Sequence, residues 1–172
     1  TRPDLDVPDI QLHFGMALAD DHGRKRHGGT GFTCHVCLLR PKSRGSVTLG
    51  SADPLAAPAI DPNFLGEPED MESMVAGFKT TRRLMETPAL RARQQQDMFT
   101  QGVNSDDEIR DLLRRRVDTV YHPVGTAKMG VNASMAVVDP KLKVYGLEGL
   151  RIVDASVMPT LIGGNTNAPT IM

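Results

Sequence analysis

An α+β fold, with a mainly antiparallel sheet flanked by helices, is what this sequence predicts. Three observations carry that expectation. Short alternating stretches fall within residues 10–49, two amphipathic helical patterns follow between residues 69 and 117, and no internal repeat interrupts that order. Strands that come first and helices that come after them favour antiparallel pairing.

Ile10, Leu12, Phe14 and Met16 alternate with Gln11, His13 and Gly15, which predicts a strand with one buried face. His13 falls on the opposite face and is expected at the rim, not as a ligand. Residues 20–31 form a polar, Gly-rich loop in which Arg24, Lys25 and Arg26 are solvated. A second strand is expected over 31–39, then a turn over 41–45 and a short strand around Val47 and Leu49, ended by Gly50. Residues 52–68 carry Pro54, Pro58, Pro62 and Pro68 and must be irregular or edge-like, because proline cannot donate into a ladder.

The first helix is expected over 69–86. Met71, Met74, Val75, Phe78 and Met85 share one face, acidic residues stand at its positive N-terminus, and Thr87-Pro88 ends it. A methionine stripe at this spacing is core packing. The second helix begins with Ser105 and Glu108 in capping-box spacing. Its buried face is Ile109, Leu112, Leu113 and Val117, and Arg114, Arg115 and Arg116 complement the dipole in the last turn.

Composition narrows the function classes. A chain of 172 residues with 40% hydrophobic and 24% charged residues can bury a core, and a net charge of −1 gives no reason to expect nucleic acid as a partner. Cys34 and Cys37 are spaced C-x-x-C, but positions three apart on a strand face opposite ways, so they cannot share a metal. No second pair supplies a zinc site. They are expected as free thiols of a reducing, cytoplasmic compartment, one of them in the core.

The chemistry-bearing residues lie in the last third. Thr119, Val120 and Tyr121 are strand-like, and Pro123 stops any helix, so His122 is held at a strand end beside a rigid turn. Histidine is the side chain suited to take and return a proton near neutral pH. Leu150, Ile152 and Val153 predict another strand, with Asp154 at its end. Gly163, Gly164 and Asn165 form a turn, and Asn167, Ala168 and Pro169 open a helix. The free N–H groups of such a helix suit an anionic ligand, although the same pattern fits a plain strand–loop–helix connection. A hydrolase using Ser156, His122 and Asp154 is disfavoured, since no G-x-S-x-G elbow surrounds Ser156.

Tyr121-His122-Pro123-Val124-Gly125-Thr126, Val138-Asp139-Pro140, Asp154-Ala155-Ser156 and Gly164-Asn165-Thr166-Asn167-Ala168-Pro169, with Gly45-Ser46-Val47 upstream, stand in the order and spacing of a known pattern. Together they resemble the C-terminal part of the glucose-methanol-choline oxidoreductases, most of all the bacterial choline and alcohol dehydrogenases. That resemblance implies a flavoenzyme that oxidises a primary alcohol to an aldehyde, with FAD as cofactor and oxygen or another carrier as electron acceptor. It implies a substrate domain over 1–118 and, over 119–172, an active-site segment that returns to a Rossmann-type FAD domain. No G-x-G-x-x-G occurs here, so the N-terminal FAD domain is expected in a longer protein, and the chain alone is expected to be inactive.

By the same resemblance, His122 is the base that takes the hydroxyl proton while hydride leaves for flavin N5. Asn165 stands where relatives carry histidine or asparagine, and its amide would donate to the developing alkoxide. Asp154 and Ala155 would lie along the ribityl chain, and Asn167 and Ala168 would face the flavin pyrimidine edge. The alternative is a non-catalytic binding domain.

Overall fold

The computed structural model describes residues 1, 4–18, 20, 21, 24, 25 and 27–172, so Arg26 of the basic loop lies outside the described residues. The chain divides into two compact units, Thr1–Leu38 with Glu67–Val117, and Leu39–Gly66 with Asp118–Met172.

In the first unit, β1 (Ile10–Gly15) and β2 (Thr33–Leu38) pair antiparallel, with Ile10 opposite Leu38, Leu12 opposite Val36 and Phe14 opposite Cys34. The face carrying Ile10 and Val36 meets helix α1 (Pro68–Met85). A Cβ on Gly77 would stand 2.8 Å from Val36 Cγ2 and 3.4 Å from Ile10 Cγ2, so the helix backbone rests directly on the sheet. Met71, Met74 and Val75 of α1 are buried, as are Ile109, Leu112 and Leu113 of α3 (Asp106–Arg116). The methionine stripe is therefore core packing, as its spacing predicts.

Ser105 begins α3 with both halves of the capping box in place, since its hydroxyl accepts from the Glu108 amide while Glu108 accepts from the Ser105 amide. Arg110 then ties α3 to α1 through two bonds of 2.9 Å to the Glu72 carboxylate. A third helix intervenes that the sequence reading lacks, α2 (Pro88–Arg91). Proline terminates α1, but a proline at the first position also opens a new turn.

Two expectations about β1 change. Phe14 is 52% exposed and Met16 90% exposed, because the strand ends at Gly15 and the helix covers only its other end. Phe14 stacks on Phe32 instead, with centroids 5.4 Å apart. His13 is only in part the rim residue expected: it is half-buried, but its Nε2 is shielded from solvent and has no hydrogen-bond partner among the described residues. Cys34 and Cys37 are free and half-buried, and burial pushes both thiols up.

In the second unit, β3 (Ser46–Thr48) pairs antiparallel with β4 (Ala59–Asp61). Pro58 and Pro62 flank β4 and leave its own amides free to pair, which makes it the edge-like element the proline spacing predicts. Antiparallel pairs with helices thus give the expected α+β class. Residues 150–153 form no strand, because Arg151 has only an isolated bridge to Lys143. An extended run without a ladder partner has no sheet to join. Val138, fully buried, bridges Met129 on one side and Val144 on the other. Short helix α4 (Asn167–Ile171) closes the described chain. Among the described residues no helix is long and apolar enough to cross a membrane.

Candidate active site

His122 lies in an irregular segment, not at the end of a strand. The expected strand over 119–121 does not form because Tyr121 takes a left-handed backbone, with φ of 62°. Its amide donates to Thr119 Oγ1 at 2.9 Å, a side-chain bond that replaces any ladder partner. Pro123 then drives His122 toward extended angles. Gly125 is left-handed at φ 87°, and a Cβ there would stand 3.4 Å from the Met158 carbonyl oxygen. Farther along, the Ala127 amide donates to the Ser156 carbonyl at 3.0 Å and the Met129 amide to Val157 at 2.8 Å. The half-buried His122 is thus pinned by its own turn upstream and by residues 156–158 downstream.

Asp154 caps a single 3-10 turn, Ala155–Val157, by accepting from the Ser156 amide at 2.7 Å. Hydrogen bonds from Ser156 hold its carboxyl below the usual carboxylate range. One oxygen is committed to the cap, and the residue is exposed. No hydrogen bond links Ser156 or Asp154 to His122 among the described residues, so a Ser–His–Asp relay finds no support.

Asn165 is exposed on the loop before α4. Gly163, two residues earlier, is where Arg40 lies, since a Cβ there would stand 2.6 Å from Arg40 Nη2. The helix cap is the buried Thr166, not Asn167. The Thr166 carbonyl accepts from the Thr170 amide at 3.1 Å and its hydroxyl at 2.7 Å, while the Thr166 side chain makes no capping bond. Asn167 and Ala168 therefore begin the helix exposed, and their amides meet no acceptor among the described residues. The segment after His122, residues 125–129, lies against 156–158, which follow Asp154 and Ala155 in the chain. No hydrogen bond joins His122 to Asn165.

Several local contacts in this unit are missing from the sequence reading. Arg44 donates to the carbonyls of Pro41, Lys42 and Ser43 at 2.8, 3.1 and 2.9 Å and so closes the turn before β3. Asp139 accepts from the amides of Lys141 and Lys143, which explains an Asp-Pro step there as a turn. The bond between Thr119 and Tyr121 had no signal beyond a strand-like composition. Among the described residues, no cluster of three His, Cys, Asp or Glu groups could hold a metal ion.

Comparison with known proteins gives the family of the chain. A family model described as GMC oxidoreductase matches residues 41–172. An "Alcohol dehydrogenase [acceptor]" of Pseudomonas putida is 48% identical over 173 residues, which cover all of this chain and 31% of that protein. An "Oxygen-dependent choline dehydrogenase" of Klebsiella pneumoniae subsp. pneumoniae is 41% identical over 174 residues, again all of this chain and 31% of the relative. Among solved structures, a variant of the Aspergillus oryzae formate oxidase, determined to follow FAD modification, superposes with a TM-score of 0.87 at 32% identity, over 96% of this chain and 30% of that one. The chain thus spans about a third of the length of the curated relatives it matches.

Proposed function

Because the chain belongs to the GMC oxidoreductase family, we propose that it forms the active-site part of an FAD-dependent enzyme that oxidises a primary alcohol, choline-like or other, to an aldehyde. The observation that carries this reading is the pinning of His122. A left-handed turn and a proline flank this histidine, and the amides of Ala127 and Met129 tie the segment after it to residues 156–157, in the 3-10 turn that Asp154 caps. A general base must be held in place to be within reach of the proton it takes.

The residues present fit a flavin. Asn167 and Ala168 offer backbone N–H groups without acceptors, suited to polar ring atoms on the pyrimidine edge. Asp154 is exposed and half-buried Ala155 opens the turn it caps, a carboxylate and backbone suited to a ribityl chain. When bound, FAD supplies the hydride acceptor.

In this reading His122 takes the hydroxyl proton of the alcohol and becomes an imidazolium. Asn165 donates an amide N–H to the alkoxide as charge develops there. Such a donor contributes about 3 kcal/mol in the transition state. An amide cannot itself accept the proton near neutral pH, so the base and the donor are different residues. Oxygen or another carrier would restore the cofactor.

The test is spectroscopic. The whole protein is expected to carry a flavin whose absorbance bleaches anaerobically on adding a primary alcohol. His122→Ala is expected to retain FAD and slow bleaching by about 10²–10⁴-fold. Near-normal bleaching would remove His122 from the mechanism, and a protein without flavin would overturn the reading altogether.

A further inference from the structure

We propose that the β3–β4 hairpin is a docking face for the rest of the same polypeptide, the part of its relatives' length that this chain, at 31% of it, does not span. Residues 44–64 are exposed without exception, yet they hold a defined backbone. β3 and β4 form a ladder of their own, and Asn63 Nδ2 donates to the Arg44 carbonyl at 3.0 Å. The Asp53 and Asp61 carboxylates accept from the amides of Leu55 and Asn63 at 2.9 and 2.8 Å. A two-stranded hairpin with no covered face is marginally stable at best in water. The entropy lost in ordering so long a stretch has to be offset by burial of apolar surface, and no side chain within it is buried.

The surface on offer is apolar. Val47 stands opposite Ile60, so the two side chains share one face of the ladder. Leu49 and Leu55, in the connection between the strands, are 89% and 92% exposed, and Phe64 is exposed beyond β4. The charged groups of this stretch, Arg44, Asp53 and Asp61, are each engaged in a local turn. Contiguous exposed apolar residues mark an interaction site, and a face poor in free charge suits a permanent partner over a transient one.

Pro58 and Pro62 bracket β4. Prolines there oppose the addition of a further strand, so the partner covers the face and does not extend the edge, which disfavours a second copy joined edge to edge. A segment of the same polypeptide meets the hairpin at high effective concentration without any assembly step. Docking here is independent of the role of His122.

The experiment is photo-cross-linking in the whole protein. The photoreactive amino acid p-benzoylphenylalanine replaces Leu55 in one variant and Leu49 in another, so that a failure of one to fold does not decide the outcome. After irradiation the product is expected to keep the mass of a single chain on a denaturing gel, and peptide mapping is expected to join the hairpin to a peptide outside residues 1–172. A product of doubled mass, joining two copies, overturns the proposal in favour of a homodimer. A cross-link confined to residues 1–172 overturns it as well, and so does a folded variant with no cross-link, whose side chain faces water. Flavin absorbance of the same samples separates this from the functional reading, since a protein without flavin removes that reading and leaves the docking result as it stands.

Discussion

Gly45→Ala tests whether backbone contact dictates the glycine in the Arg44-Gly45-Ser46 turn. A Cβ at residue 45 would stand 2.1 Å from the Asp61 carbonyl oxygen and 2.8 Å from both the carbonyl carbon and the Cα of Pro62. All three neighbours are backbone atoms, two of them in a proline, so none can rotate away. The strand that must move is β4, which pairs Asp61 with Ser46, the residue next to the substitution. Overpacking of this kind costs about 3 kcal/mol, the upper end for added carbons. Removing glycine also stiffens the unfolded chain, which returns about 0.7 kcal/mol. The clash wins, with a net loss of about 2.3 kcal/mol, equivalent to a roughly fiftyfold change in an equilibrium constant.

Native-state amide hydrogen exchange in β3 and β4 reads that loss locally, as faster exchange of the ladder amides by about fiftyfold. Gly163→Ala is the internal control. Its Cβ would meet only Arg40 guanidinium atoms, the far end of a flexible side chain, so it is expected to change exchange in β3 and β4 by less than about twofold. Equal protection in Gly45→Ala and the natural protein would refute the argument from backbone contact.

Ile109→Ala is expected to destabilise the first unit by about 3–4 kcal/mol, since the side chain is 1% exposed and the cavity is walled by helices α1 and α3. Equilibrium urea unfolding checks it, and a loss below about 1 kcal/mol would show that the core refills. Glu72→Gln addresses acid sensitivity. Hydrogen bonds from Arg110 hold the Glu72 carboxyl below its ordinary range, so its folded value lies below its unfolded one. Its contribution is then fully present above the unfolded pKa of about 4.3 and lost as pH falls through the folded value. The difference in stability between the natural protein and Glu72→Gln is expected at pH 6 and should shrink below about pH 4. A difference that does not change with pH would break the argument.

Much of this molecule was legible because it depends on near neighbours. The capping box of Ser105 and Glu108 spans three residues, and the stripe of Met71, Met74 and Val75 needs only the helical period to show its face. The proline flanks of β4 follow from one missing N–H each. The residues proposed for chemistry were likewise found by their types and order. Their placement was not, because a composition of Thr, Val and Tyr suits an extended strand, whereas the backbone of Tyr121 turns left-handed, with its amide bonded to Thr119 Oγ1.

The same divide runs through the rest of the chain. The α+β class, the start of α3 and the methionine core were set by the sequence, since each rests on propensity, period or spacing within a few residues, while His122 as candidate base came from the family resemblance. Only the tertiary structure decided that residues 150–153 remain unpaired but for one bridge, that His13 Nε2 is shielded, and that Asp154 is spent on capping a 3-10 turn. Tertiary structure also decided that 125–129 lie against 156–158. A strand needs a partner, and burial needs a neighbour, and the partners here come from distant points in the chain. Local preference is the same whether or not such a partner arrives, so no reading of residues 150–153 alone could have told a paired strand from a bare one.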